Sequence, residues 1–268
     1  PSPDPSIVKG VSVIRSTKDT VHAIIELPGE LKEEQYKVFT VKADPKAKRP
    51  FRVVVDIEKA VPISGVRFSA GLRGKLIVLD PGHGASDPGA IGPRGSYEKT
   101  LNLNLGLKVK TILEQAGAKV VMTRQTDVDL STPDMSDRDE LRARTMVANN
   151  RKADLFISIH HNSSANSDLT GTTTYYYRKS AYDVLLAQCL QSAMARGGGL
   201  DNIGIRTANF FVVKNTWMPA ALLEIGFISN PQEEQILGSP AFQQKMALAI
   251  VAGIDQFFGQ AAKMRGEQ

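Results

Sequence analysis

Five residues in four separated segments have types that could do metal chemistry. His83 stands in DPGHGASDPGA, Glu98 in GSYEKTLNLN, His160 and His161 close DLFISIHHN, and Glu224 interrupts the apolar run AALLEIGF. Two histidines and one carboxylate make a catalytic zinc site with a position open to water, and a second carboxylate outside that shell can act as general base and then acid. Each residue also has a plainer reading. A histidine after a strand can simply cap a turn, and an acidic residue opening a helix, as Glu98 does, is favoured by the helix dipole whatever its function. Neighbours on an extended strand point to opposite faces, so one of His160 and His161 can serve a given metal and the other cannot. Glu224 constrains most. Burying a carboxylate without a partner is costly, so its setting implies a cation, a hydrogen-bond network, a structural ion pair or a tuned acid/base.

These residues need a scaffold that brings strand ends together. From Lys75 the pattern alternates: KLIVLD is a strand, LNLNLGLKVKTILEQAG a helix closed by Gly117, and KVVMT a second strand. A helix over Asp137 to about Asn149 follows, with Ser136 as N-cap and Asp139 three residues on. Then come DLFISIH, TTTYYYR, a helix from Ala181, NFFVV and AALLEIGF, giving six expected strands. A closing helix from Pro240 to Phe258 carries Met246, Ala249, Ile250, Gly253, Ile254 and Phe257 at the spacing of a buried stripe. The expected fold class is α/β: a largely parallel, mixed six-stranded sheet flanked by helices, with ligands at the carboxyl ends of its strands. The glycines at 82, 84 and 89 allow a tight backbone path beside His83.

Residues 1–74 read differently. VKGVSVI, TVHAIIEL, YKVFTV and FRVVVDI are short β-like runs between charged or Gly/Pro turns, so a small β module (1–74) is expected ahead of a larger domain (75–268). The net charge of +5 is mainly N-terminal, with 13 Lys/Arg against 9 Asp/Glu in residues 1–74 and 20 against 19 thereafter. That bias fits a solvated surface, and no nucleic-acid reading motif accompanies it, so no nucleic-acid partner is expected. The one cysteine, Cys189, lies on an apolar helix face and excludes an intramolecular disulfide or a four-Cys zinc knuckle. No apolar run approaches the roughly 20 residues of a membrane helix. The opening PSPDPS has no basic stretch followed by an apolar one and reads as the cut edge of a linker. His22, without metal-binding neighbours, is expected at the surface.

Taken in order and spacing, IVLDPGHGASDPGAIGPRGSYEK, SIHHN and PAALLEIGFISN resemble the zinc-dependent N-acetylmuramoyl-L-alanine amidases of the amidase-3 family over about residues 75–258. The resemblance implies Zn2+ held by His83, Glu98 and His160, with Glu224 as the catalytic carboxylate. It implies cleavage of peptidoglycan between N-acetylmuramic acid and the first L-alanine of the stem peptide, and hence a place outside the cytoplasm, in the periplasm or cell wall. His161 departs from the small residue common in the family and is expected on the opposite face of its strand, outside the metal shell. Some members carry a helical plug after the SIHxN strand. Here SSANSDLTG is the whole connection, so no obligatory activator is expected. The segment RPFRVVVDIEKAVP resembles part of an AMIN-type module, which implies help in positioning the enzyme at the envelope or a structural role. Two other readings fit the same residues: another zinc hydrolase of the wall, such as a carboxypeptidase or deacetylase, and a non-catalytic wall-binding protein. The second would be expected to lack Glu224 or a ligand, and all four residues are present.

Overall fold

The computed structural model describes residues 8–28, 36–43, 50–57, 70–130 and 136–266. The chain divides into two compact units, Pro1–Gly65 and Val66–Gln268. In the first, β1 (Gly10–Arg15) pairs antiparallel with β2 (Val21–Glu26), and β3 (Tyr36–Val41) with β4 (Arg52–Ile57), as two separate two-stranded sheets. Val11, Val13, Ile24 and Val53 are exposed on these ribbons, and so is His22.

The second unit is built on a six-stranded sheet. Its strands are β5 (Leu76–Pro81), β6 (Lys119–Met122), β7 (Leu155–Asn162), β8 (Thr172–Tyr176), β9 (Asn202–Thr207) and β10 (Ala220–Phe227). They lie in the order β6-β5-β7-β10-β8-β9, and every neighbouring pair is parallel except β10 with β8. The central strands are apolar along most of their length because both faces are covered: Ile77 to Leu79, Leu155 to Ile157 and Ala220 to Leu223 are all buried. On one face Val78, Phe156, Ala220 and Leu222 pack with Ala148 of α2 (Asp137–Asn149) and with Val212 and Val213 of α4 (Phe211–Asn215). Elsewhere α6 (Pro240–Arg265) packs on α1 (Glu98–Gln115) and α3 (Ala181–Gly198), sinking Met246, Ile250, Ile254 and Phe257. Between β10 and α6 lies the short α5 (Pro231–Leu237). Cys189 is buried on α3. No helix among the described residues is long and apolar enough to cross a membrane.

The expected elements recur at their expected places, with one exchange. Ser136 caps α2 through a reciprocal pair with Asp139, and α1 closes before Gly117, whose φ is 91°. NFFVV, expected as a strand, is instead the start of α4, and the sixth strand is NIGIRT, Asn202–Thr207. Packing decides against local preference here: Val212 and Val213 both enter the same core cluster, which neighbours on a strand would not do, and Asn215 and Thr216 secure the helical turn by donating side-chain hydrogen bonds to the Phe211 and Val212 carbonyls. The true edge strand escaped notice because it carries Gly204 at φ 93° and only half-buried isoleucines.

One buried cation ties α2 to the end of β5. Arg144 donates to Asp80 Oδ1 at 2.9 Å, to the Pro81 carbonyl at 3.0 Å, to the His83 carbonyl at 2.9 Å and to Glu140 Oε1 at 2.8 Å. Asp80 is 1% exposed and its carboxyl is held below the usual range, since Arg144 and hydrogen bonds from Thr123 and Ser158 outweigh the effect of burial. Replacing Arg144 by Met is therefore expected to lower unfolding free energy by about 3–5 kcal/mol in urea denaturation, because Asp80 is left buried and uncompensated. A loss below about 1 kcal/mol, the scale of an exposed pair, would contradict this.

Candidate metal and acid/base site

The ends of β5 and β7 and the start of α1 converge. After Pro81 the backbone stays on the ladder through Gly82, whose N–H donates to the Ile159 carbonyl at 3.0 Å. His83 then adopts a left-handed φ of 63°, which costs a non-glycine residue about 1–2 kcal/mol. The Arg144 bond to its carbonyl helps hold it there. Two glycines make room for the converging side chains. A Cβ on Gly82 would fall inside the His160 imidazole, and one on Gly89, itself at φ 65°, would lie 2.7 Å from both Glu98 Oε2 and the His83 ring.

Glu98 is the hinge of the site. It sits in the first turn of α1, 5% exposed, with Oε1 at 2.9 Å from His160 Nδ1 and Oε2 at 3.2 Å from His83 Nε2. One ligand atom from each of the three residues lies within 4.8 Å of the others, and the two rings meet edge to face at 4.9 Å between centroids. On its far side His83 Nδ1 meets Asp87 Oδ2 at 2.6 Å, the kind of carboxylate support that fixes the tautomer of a metal-bound histidine. The protonation of the site points the same way. Burial disfavours charge on His83, but hydrogen bonds and charge from Glu98 and then Asp87 prevail and raise it to about 9. Burial likewise opposes charge on Glu98, yet His160 and His83 hold its carboxyl far below the usual range. A negatively charged donor set that gathers a proton in this way suits a divalent cation, and two imidazoles with one carboxylate suit zinc.

Glu224 stands apart from the trio. It lies on β10 in register with His160 of β7, and its Oε2 is sealed from solvent with no hydrogen-bond partner among the described residues. Burial first and the charge of Glu98 second push it up to about 8, against a smaller lowering from His83. His161, one residue beyond His160, turns to α1 and meets Asn102 Oδ1 through Nδ1 at 2.7 Å, and burial drives it down to about 4. The trio and Glu224 share a cavity of about 650 Å³ walled by Asp129, Ser136, Asp137 and Glu140 on one side and by Phe210 and Phe211 on another. The 127–136 loop thus borders the cleft at both ends, residues 131–135 lying outside the described residues.

A profile described as N-acetylmuramoyl-L-alanine amidase matches residues 77–256. The chain belongs to that family. It is 38% identical over 199 residues to the germination-specific N-acetylmuramoyl-L-alanine amidase of Bacillus subtilis, covering 71% of this chain and 83% of that protein. It is also 38% identical over 200 residues to the probable cell wall amidase LytH of Staphylococcus epidermidis, covering 74% of this chain and 63% of that one. Among solved structures, the catalytic domain of the amidase CwlV from Bacillus (Paenibacillus) polymyxa superposes with a TM-score of 0.62 at 41% identity, covering 72% of this chain and 99% of that one. The amidase CwlD of Clostridioides difficile, solved in complex with the GerS lipoprotein, gives 0.66 at 31%, covering 70% and 100%. By membership the chain is a hydrolase of the peptidoglycan amidase class, with the fold of these catalytic domains.

Several residues that shape this amidase site were not singled out from sequence. Asp87 is four residues past His83 and was readable as a partner; Asn102, one turn after Glu98 on α1, was readable too. Glu234 was not: from α5 it accepts hydrogen bonds from the Arg94 and Ser96 amides, holding the loop that leads into α1 across 140 positions of sequence.

The raised carboxyl of Glu224 has a measurable sign in the metal-free amidase. Between pH 4.5 and about 8 the unfolded chain gives up this proton while the folded chain keeps it, so stability from this group is full below 4.5 and lost as pH rises through 8. Glu224→Gln removes the dependence. Its melting temperature is expected to gain on the wild type progressively across that window, and a difference flat with pH would show that Glu224 is not held neutral.

Proposed function

We propose that this chain is a zinc-dependent amidase that hydrolyses the bond between N-acetylmuramic acid and the L-alanine of the stem peptide, with His83, Glu98 and His160 as metal ligands and Glu224 as general base and acid. The observation that carries the reading is the division of two carboxylates in one cleft. Glu98 is clamped between two imidazoles, whereas Glu224, lining the same cleft, has an Oε2 with no partner among the described residues and a raised pKa. Zinc, when bound by the trio, would supply Lewis acidity that acidifies water and polarises the lactoyl carbonyl. Glu224 takes the proton from the attacking water as its oxygen joins the carbonyl carbon, then returns it to the alanine nitrogen as the C–N bond breaks. The products are a lactoyl carboxylate on the glycan and a free alanine amino terminus. No side chain has to act as nucleophile, and a base with a pKa near the working pH is suited to both halves of the transfer. The substrate places the enzyme outside the cytoplasm, and residues 1–74 are left two roles, positioning it at the envelope or a structural one.

Purified peptidoglycan should release new alanine amino termini with zinc present and none after chelation. Glu224→Gln should bind zinc as the wild type does and lose at least about 100-fold in turnover, the lower range for a general base. Release of acetate, terminal D-alanine or sugar instead would make it another wall hydrolase, and wild-type turnover by the Gln variant would remove Glu224 from the mechanism.

Residues 163–171 join β7 to β8 without a helix, leaving the cavity no plug from that connection. The purified chain alone is accordingly expected to be active. Activity that emerges only when a second protein is added would refute this.

A further inference from the structure

Glu98 can hold a metal only if its carboxylate stays in one orientation, and a buried chain of hydrogen bonds sets that orientation from behind. Oε2 accepts from the Ala90 amide at 2.9 Å. Oε1 accepts from the His161 amide at 3.1 Å and is faced by Asn102 Nδ2 at 3.4 Å, one helical turn further along α1. Asn102 is fully buried, and the same Nδ2 donates to the Gly82 carbonyl at 3.1 Å. Nδ2 is thus turned to two acceptors, and Oδ1, an acceptor itself, is left for a donor. Its partner is His161 Nδ1 at 2.7 Å.

This arrangement works in one direction only. Turning the Asn102 amide over would set its oxygen against both the Gly82 carbonyl and Glu98 Oε1, so these two acceptors fix Nδ2 and leave Oδ1 to meet His161 as the Nδ1–H tautomer. The His161 ring anchors the oxygen end of the amide, and the amide backs the carboxylate. We propose that His161, acting through Asn102, is a positioning residue that sets the geometry in which Glu98 meets the metal. The inference rests on the reading of Glu98 as a ligand. It gives a task to a histidine that lies next to a proposed ligand in sequence yet meets Asn102 and not Glu98 with its ring, and it explains why a polar ring sits 3% exposed beneath α1.

The test measures zinc affinity by chelator competition on the full chain, alongside the melting temperature of the metal-free protein. His161→Ala and His161→Leu delete the donor, Leu keeping most of the volume. His161→Asn puts an amide nitrogen close to where Nδ1 stood. The expected result is a loss of about 10- to 100-fold in zinc affinity for Ala and Leu, typical of removing support for a ligand, with affinity restored towards wild type in Asn. Equal affinity in Leu and wild type would overturn the proposal, and so would a lower metal-free melting temperature with affinity unchanged, which would make His161 a packing residue. Should Ala fail to fold, the Leu and Asn pair decides alone. A wild-type chain that binds no zinc would instead bring down the metal reading itself.

Discussion

Everything at the cleft depends on one buried carboxylate held between two imidazoles. Glu98 comes from the first turn of α1, His83 from the turn after β5 and His160 from the end of β7, so three elements must stop in register before the group exists. The surrounding oddities stem from that requirement. Gly82 and Gly89 leave the space that the rings and the carboxylate occupy, and His83 takes a left-handed backbone to turn inward. Arg144 and Arg124 gather the carbonyls of Pro81, Gly82 and His83, so buried cations fix the turn. With its pKa raised, against burial, to about 9 by Glu98 and Asp87, His83 has a proton to give up when it binds a cation, which would couple metal uptake to proton release.

The same cleft sets two carboxylates to opposite ends of their range. Glu98 is surrounded by donors and stays ionised; Glu224 keeps one oxygen sealed from solvent with no partner among the described residues, and burial and then the charge of Glu98 push it up. Environments that drive two acids apart assign one to charge and the other to proton transfer. Because Glu224 is in register with His160 on adjacent strands, sheet geometry alone keeps this carboxylate beside the trio. The difference between the two carboxylates is thus built into strand pairing and helix placement.

Much of this was legible in the chain. Continuous apolar runs in KLIVLD, DLFISIH and AALLEIGF announce strands buried on both faces, and the polar residues that end or interrupt them are the ones that meet in the cleft. The alternation rule separated His160 from His161: the first ring meets Glu98, the second Asn102 one turn further along the same helix. Legibility fails where packing or long-range bonding decides. Val212 and Val213 favour a strand locally and form a helical turn, while NIGIRT, weakly patterned, becomes the edge strand. Arg144 lies in a polar helix and is 4% exposed; Glu234 supports the approach to α1 from the far end of the chain. No local pattern marks either, because what buries them is the fold.

The most direct measurement is zinc-edge X-ray absorption on the chain loaded to one equivalent. The account predicts saturable binding at one zinc per chain, with a first shell of two imidazole nitrogens and oxygen donors and no sulfur, losing an imidazole in His83→Ala and in His160→Ala. Failure to bind one equivalent, or a shell unchanged by either substitution, would contradict it.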